Sequence, residues 1–253
     1  MTTNQPTGAE AIVRLLSLHG VRHIFGLCGD TSLPFYDALY RLDHGMTHVL
    51  TRDERSAGYM ADAYARVSGR VGVCEGPSGG GATYLLPGLA EANESSSPVL
   101  GFTSDVPVTS RGRYPLTALD QQALYRPVTK WNTTIDIASQ LPGAFRTAFR
   151  AMTTGVPGAA HICIPYDVQR QPVDEADIWG EARYGEYPAA RVAPASDDVD
   201  RAVRLIAAAE RPVIICGGGV MVSGATGELA SLARRIGAPV CTTVSGKGAV
   251  ADS

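Results

Sequence analysis

The feature that most constrains this fold is a regular alternation of strand-like segments, glycine-containing turns and helical segments. An amino-terminal helix begins at Thr7 and Glu10, which are expected to form a capping box. The expected strands are 23–27, 47–51, 71–74, 99–103 and 161–164, and the expected helices include 32–42, 54–68, 136–152 and one ending near 94. Alternating β and α segments of this length predict an α/β fold, with a parallel sheet covered by helices on both faces.

The chain is expected to contain two domains joined by a linker. Its 253 residues suffice for one large or two small domains. Prolines and acidic residues are concentrated in 171–195, a composition typical of an interdomain linker. Residues 196–253 then provide only two strands, too few for an independent sheet. We therefore expect a complete α/β domain at 1–170 and an incomplete Rossmann-like domain at 196–253.

Charge, hydropathy and cysteine usage exclude several classes of protein. The net charge of −3 argues against general nucleic-acid binding, which needs a basic surface. No apolar run approaches the roughly 18 residues of a membrane span, and the first residues do not resemble a signal peptide. The five cysteines are scattered, which favours a reducing cytoplasm over a disulfide framework. The sequence has no C-x-x-C pair, and its spaced histidine pairs are interrupted by glycine, so no metal site is predicted.

The single residue best placed for chemistry is Glu54. It opens the predicted helix 54–68 directly after a strand, next to Asp53. Acidic residues stabilise a helix N-terminus, so capping alone explains this pair equally well. In the functional interpretation, one carboxyl points into the cleft at the carboxyl ends of the strands, where doubly wound sheets bind ligands.

A competing interpretation makes Ser78 a nucleophile. The segment 76–80 fits the pattern G-x-S-x-G between a strand and a helix, which is the nucleophile elbow of α/β-hydrolases. Three aspartates and then His161 follow in the chain, so the order serine, aspartate, histidine is available. This alternative is a serine hydrolase that needs no partner.

Taken together, the segments resemble the amino-terminal part of the acetolactate synthase-like thiamine diphosphate enzymes. The resemblance covers essentially the whole chain, and the segments that carry it are 18–26, 29–39, 52–66, 78–83, 126–130 and 161–168. The resemblance implies that 1–170 is the domain that binds the aminopyrimidine ring of the cofactor. It also implies that 196–253 begins the family's central domain, in which FAD is bound by acetolactate synthases.

The resemblance assigns roles to individual residues. Glu54 matches the glutamate that hydrogen-bonds N1′ of the aminopyrimidine ring and exchanges a proton with it, which activates the cofactor to attack a 2-oxo acid. The other implied site residues are Gly29, Asp30, Ser78 and Gly80 for the cofactor, and Asp120 and Gln121 for the substrate.

Departures from the family's patterns refine the predicted reaction. Gly29-Asp30 resembles the pair in the pyruvate decarboxylase branch, but that branch's adjacent histidines are missing. Leu119 and Asp120 replace the phenylalanine and glutamine of the acetolactate synthase motif A-F-Q-E. We therefore expect decarboxylation of a 2-oxo acid with transfer of the acyl carbanion to an acceptor, rather than simple aldehyde release.

The resemblance also implies a partner. The family holds Mg²⁺ and the cofactor's diphosphate with a G-D-G…N motif, and no Gly-Asp-Gly occurs in this sequence. We expect a second subunit, or a further domain, to carry the diphosphate-binding half of the site within a hetero- or homo-oligomer. The remaining alternative is a non-catalytic partner subunit that retains the fold.

Overall fold

The computed structural model describes residues 5–251. Its larger unit contains one sheet of six strands in the order β2-β1-β3-β4-β6-β5, and every neighbouring pair is parallel. The strands are β1 (His23–Gly26), β2 (Thr47–Leu50), β3 (Gly72–Gly76), β4 (Val99–Asp105), β5 (Trp131–Thr134) and β6 (Ala160–Pro165). The predicted α/β class and parallel sheet are confirmed.

Helices cover both faces of this sheet. They are α1 (Gly8–Leu18), α2 (Leu33–Arg41), α3 (Glu54–Ser68), α4 (Gly80–Glu94), α5 (Gln121–Tyr125) and α6 (Leu141–Thr153). One core cluster joins the apolar faces of α1, α2 and α6 to the sheet, and a second joins those of α3 and α4. The capping box predicted at the start of α1 is present, with Thr7 Oγ1 accepting from the Glu10 amide and Glu10 accepting from the Thr7 amide.

In the larger unit, one strand and one short α-helix were not predicted, and another helix begins later than expected. The edge strand β5 and the short helix α5 lie in a segment without clear periodicity. The helix expected at 136–152 begins at Leu141, with Pro142 in its first turn, because proline is compatible with a helix start but not with its interior.

The chain divides into two units after Ala189, within the segment expected to be a linker. Up to that point the segment is packed against the first unit: Val173 and Tyr184 are buried in its core, and Val71 donates a backbone hydrogen bond to Gly185. Most of the acidic and proline-rich segment 171–195 is therefore a surface segment that packs against the first unit.

The second unit contains two parallel strands and three helices within the described residues. These are α7 (Ser196–Ala207), β7 (Ile214–Cys216), α8 (Gly218–Ser223), α9 (Thr226–Ile236) and β8 (Val240–Thr242). Across the part of the chain that the structure describes, no helix is both long and apolar enough to span a membrane.

Candidate functional site

Three strand-to-helix turns meet at one edge of the sheet. Strands β2, β1 and β3 are adjacent and parallel, so the turns that follow them leave from the same edge. These turns carry Gly29-Asp30, Asp53-Glu54 and Ser78-Gly79-Gly80. The carboxyl edge of a parallel sheet is where such folds bind ligands, and all four predicted cofactor residues lie in these turns.

The two neighbouring acids at the start of α3 have different roles. Asp53 is the N-cap: its carboxylate accepts from the Arg55 amide at 2.8 Å and pairs with the Arg55 guanidinium at 2.7 Å. The Arg55 side chain holds the pKa of Asp53 at about 2. Capping therefore accounts for Asp53 and leaves Glu54 without that function.

Glu54 is buried, with 8% of its surface exposed. No hydrogen bond or ion pair from residues 5–251 reaches its carboxylate. Neither of its carboxylate oxygens is completely enclosed by the protein, so solvent or a ligand can reach them. The geometry fits a group that binds its partner from outside the chain.

Glycines shape the space beside Glu54. A Cβ added to Gly81 would lie 2.5 Å from Pro77 Cδ and 3.0 Å from Glu54 Oε1. A Cβ on Gly29 would lie 2.5 Å from Pro77 Cβ, so the proline ring fills the gap between the first and third turns. Gly80, by contrast, has no atom within 4 Å of the Cβ position and is exposed. These residues form a cradle whose open side is at Gly80.

Ser78 connects the third turn with the first turn and with Thr117 through hydrogen bonds. Its amide donates to Thr31 Oγ1 at 3.0 Å, and its hydroxyl shares a 2.8 Å hydrogen bond with Thr117 Oγ1. Asp30, next to Thr31, is exposed at the start of the short turn Asp30–Ser32. Ser78 therefore lies beside the cradle as a hydrogen-bonded structural link.

The hydrolase interpretation of Ser78 is not favoured. Its predicted base, His161, is fully buried on β6. His161 shares a 2.7 Å hydrogen bond with Thr103 Oγ1 and stacks on Tyr125, with 3.6 Å between ring centroids. Burial lowers its pKa to about 3. No histidine forms a hydrogen bond with Ser78 among the described residues, so the catalytic pair is not assembled.

The predicted substrate residues lie in a second cleft, at the ends of β4, β5 and β6. This cleft has a volume of about 470 Å³, and Asp105, Arg111, Asp120, Gln121 and Asp136 contribute to its lining. Asp120 caps α5 by accepting from the Ala123 amide at 2.9 Å. Gln121 is buried, donates to Ser104 O at 2.8 Å and accepts from the Thr103 hydroxyl. Asp120 is thus available to a ligand, whereas Gln121 is largely committed to the protein.

A buried carboxyl near the cradle was missed from the sequence. Glu75, the penultimate residue of β3, is fully buried and accepts from the Tyr36 hydroxyl at 2.7 Å. Tyr36 Oη also lies 3.2 Å from His48 Nε2. Burial, together with the nearby charge of Glu54, raises the pKa of Glu75 to about 8. The available signal was a single acidic residue within the apolar segment 71–76.

No cluster of three or more histidine, cysteine or acidic side chains suited to a metal ion occurs within residues 5–251.

Comparison with known proteins gives matches along most of the chain. Residues 6–124 match the model of the thiamine pyrophosphate enzyme N-terminal TPP binding domain, and residues 199–253 match that of the thiamine pyrophosphate enzyme central domain. The two matches together span more than half of the chain.

The similar curated proteins carry consistent names. A probable acetolactate synthase large subunit of Methanocaldococcus jannaschii is 44% identical over 95% of this chain and 41% of its own length. That of Methanococcus aeolicus is 41% identical over 97% of this chain and 41% of its own length. An acetolactate synthase of Arthrospira platensis is 38% identical over 96% of this chain and 42% of its own length. The chain therefore spans about two fifths of the length of the curated relatives it matches.

Proposed function

This chain belongs to the thiamine pyrophosphate enzyme family, and from that we propose that it is the glutamate-bearing part of a carboligase or acyltransferase acting on a 2-oxo acid. The relatives named acetolactate synthase support this class of reaction. Leu119 and Asp120 depart from the family's motif in the substrate region, so we propose an acetolactate synthase-like reaction without assigning the donor acid or the acceptor.

The observation that carries the proposal is Glu54, a buried residue beside a glycine cradle whose carboxylate has no hydrogen-bond partner among residues 5–251. Thiamine diphosphate, when bound, supplies the carbon nucleophile and accepts the electrons released by decarboxylation. Glu54 holds or accepts the proton at N1′ of the aminopyrimidine ring. The open space at Gly80 leaves room for a flat ring. Gly29 lets the Pro77 ring pack against the first turn, and Ser78 fixes the cradle by its hydrogen bonds to neighbouring residues.

The remaining assignments concern the substrate and the central unit. We propose that Asp30 faces the cofactor and substrate from the first turn, and that Asp120 contacts substrate from the second cleft, with Gln121 holding that cleft in shape. FAD in the central unit, as the resemblance implies for acetolactate synthases, belongs to the same proposal. The free cysteines are consistent with the reducing cytoplasm as its location.

The cofactor's diphosphate and Mg²⁺ would be held outside residues 5–251. We propose that a diphosphate-binding domain, on a second subunit or elsewhere in an oligomer, completes the site. The relatives named as large subunits support an assembly of more than one chain.

Substitution of Glu54 in the native complex tests the proposal. We expect Glu54→Gln to lower thiamine diphosphate-dependent consumption of a 2-oxo acid, with pyruvate as the first probe, by about 100-fold or more, the usual effect of removing a proton-transfer group. The control is Glu94→Gln, an exposed glutamate at the end of α4. Retention of activity in Glu54→Gln contradicts the proposal, and loss of a cofactor-independent hydrolase activity in Ser78→Ala would instead support the serine enzyme.

A further inference from the structure

Glu75 is an unusual residue for a central strand. It lies on β3, between β1 and β4, and none of its surface is exposed. Its neighbours on the strand, Cys74 and Gly76, are also buried. A carboxyl group in such a position loses its hydration, so it is retained only where other groups compensate or use it. The proposed reaction described above does not use it.

A line of hydrogen bonds connects Glu75 with the edge of the sheet. Tyr36 from α2 donates to Glu75 Oε2 at 2.7 Å, and the same hydroxyl lies 3.2 Å from His48 Nε2. His48 is half-buried on β2, which is an edge strand. Gly26 admits this arrangement, since a Cβ there would lie 2.8 Å from Tyr36 Oη. The inner oxygen, Glu75 Oε1, has no hydrogen-bond partner among residues 5–251.

Burial and the nearby charge of Glu54 favour the neutral form of Glu75, and they outweigh the hydrogen bonds from Tyr36 and Ser32, which favour the carboxylate. Besides Tyr36, the titratable side chains around it are Glu54 on α3, Cys74 on β3 and Cys28 in the turn after β1. None of these is a cation, and burial of Glu75 together with the charge of Glu54 raises its pKa to about 8. Burial also lowers the pKa of His48. At neutral pH the line therefore joins a carboxylic acid to a neutral imidazole.

We propose that Glu75, Tyr36 and His48 form a proton relay whose state controls the charge beside Glu54. When Glu75 is neutral and protonated on Oε2, the first hydrogen bond reverses, so that Glu75 Oε2–H donates to Tyr36 Oη and the Tyr36 hydroxyl donates to His48 Nε2. In the relay step each proton crosses its own hydrogen bond, one from Glu75 Oε2 to Tyr36 Oη and the other from Tyr36 Oη to His48 Nε2. The acid and the neutral imidazole become a carboxylate and an imidazolium, and Tyr36 ends unchanged. The new negative charge arises close to Glu54, whose Cγ would lie 3.5 Å from a Cβ on Gly76, the residue after Glu75, and it repels the Glu54 carboxylate.

This role makes Glu75 a positioning residue, since it acts on the cofactor only through Glu54. Its catalytic meaning rests on the proposed function, because the charge beside Glu54 matters only where Glu54 exchanges a proton with a cofactor. The relay itself belongs to the protein and can be measured without cofactor.

The test is a pH titration of the His48 ring signals by NMR, in the full chain with isotope-labelled histidine and no cofactor. His48→Gln identifies the signal. We expect the His48 signal to report two ionisations: its own, below the ordinary histidine pKa of 6.5, and a second near pH 8 from Glu75. We expect the second inflection to disappear in Glu75→Gln and to weaken in Tyr36→Phe.

Matched variants assign the second inflection. Glu94→Gln removes an exposed carboxyl, and Cys28→Ser removes the exposed thiol nearest the relay. Both should keep the inflection. A single inflection in the unsubstituted chain overturns the relay, as does a second one that survives Glu75→Gln or vanishes in Cys28→Ser. The unsubstituted chain alone decides whether a second inflection exists, so this part of the test does not depend on the folding of any variant.

The electrostatic coupling between Glu75 and Glu54 can be measured separately. Glu54→Gln removes the charge that raises the pKa of Glu75, so the second inflection should move to lower pH in that variant. No movement would overturn the coupling to Glu54. Since these titrations need no cofactor, their outcome is independent of whether Glu54→Gln abolishes turnover in the native complex.

Discussion

At the scale of single residues, the sequence predicted chemistry at the start of α3 but could not assign it to one of two neighbouring acids. Asp53 and Glu54 both suit a helix N-terminus, and dipole stabilisation applies to either. The fold separates them, because Asp53 turns back to cap the helix while Glu54 lies buried and unpartnered. That distinction depends on how α3 packs against the sheet, which local sequence does not encode.

This division predicts opposite effects on stability. Asp53→Ala removes the cap of α3 and its ion pair with Arg55, so the urea midpoint of the full chain should fall. Glu54→Gln replaces a buried carboxylate by a neutral group of the same shape, so the midpoint should be unchanged or higher at pH 7. A marked loss of stability in Glu54→Gln would indicate that Glu54 supports the fold, against the proposed role.

Glu75 predicts the pH dependence of stability. Its pKa is about 8 in the folded chain against an ordinary value of 4.5. Between these values the folded chain binds a proton that the unfolded chain has lost, so stability falls as pH rises through this window and levels off above it. In urea titrations from pH 5 to pH 9, Glu75→Gln should show a flatter profile than the unsubstituted chain. Identical profiles would show that Glu75 ionises normally.

At the scale of elements, the periodicity of apolar residues predicted where helices form, but it did not predict which helices contact each other. The prediction of α3 at 54–68 agrees with the structure at both ends, because Gly69 provides a left-handed C-terminal stop with φ +67°. The strand β5 and helix α5 were missed, since Trp131–Thr134 is half-buried throughout and shows no alternation. Gln121, first residue of α5, was predicted to face substrate, and only the fold reveals its buried hydrogen bonds.

The contact between α3 and α4 predicts a sharp difference between two glycines. A Cβ on Gly88 would lie 2.5 Å from Gly58 Cα, which is backbone and cannot rotate away. Gly88→Ala should therefore lower the free energy of unfolding by about 1–3 kcal/mol, as overpacking does. Gly143→Ala, in α6, meets nothing within 4 Å and should be neutral or stabilising by up to about 1 kcal/mol. Urea denaturation measures both, and equal effects would contradict the close helix contact.

At the scale of the whole molecule, alternating segments predicted the parallel sheet but not its strand order. Because β2, β1 and β3 are neighbours, Glu54, Gly29 and Ser78 approach one another from separate turns. Asp120 and Gln121 line the cleft at the ends of β4, β5 and β6 instead. The sequence analysis assigned both groups of residues to one site because of the family resemblance. No local pattern relates residues so far apart in the sequence.

The proposal of a shared site leads to a prediction about the whole assembly. The chain provides a carboxylate and a glycine cradle but, within residues 5–251, no cluster of side chains suited to a metal ion. We expect the protein purified from its native source to be accompanied by a diphosphate-binding domain carrying Gly-Asp-Gly…Asn, which mass spectrometry would identify.

Thermal unfolding of that native complex then provides the decisive measurement. A ligand at 100 times its Kd stabilises the folded state by about 2.7 kcal/mol, so thiamine diphosphate with Mg²⁺ should raise the Tm of the complex clearly. The separated 253-residue chain should show no such rise, since its sequence contains no Gly-Asp-Gly. An equal rise in both samples would mean that this chain binds the whole cofactor by itself, and the shared site would be wrong.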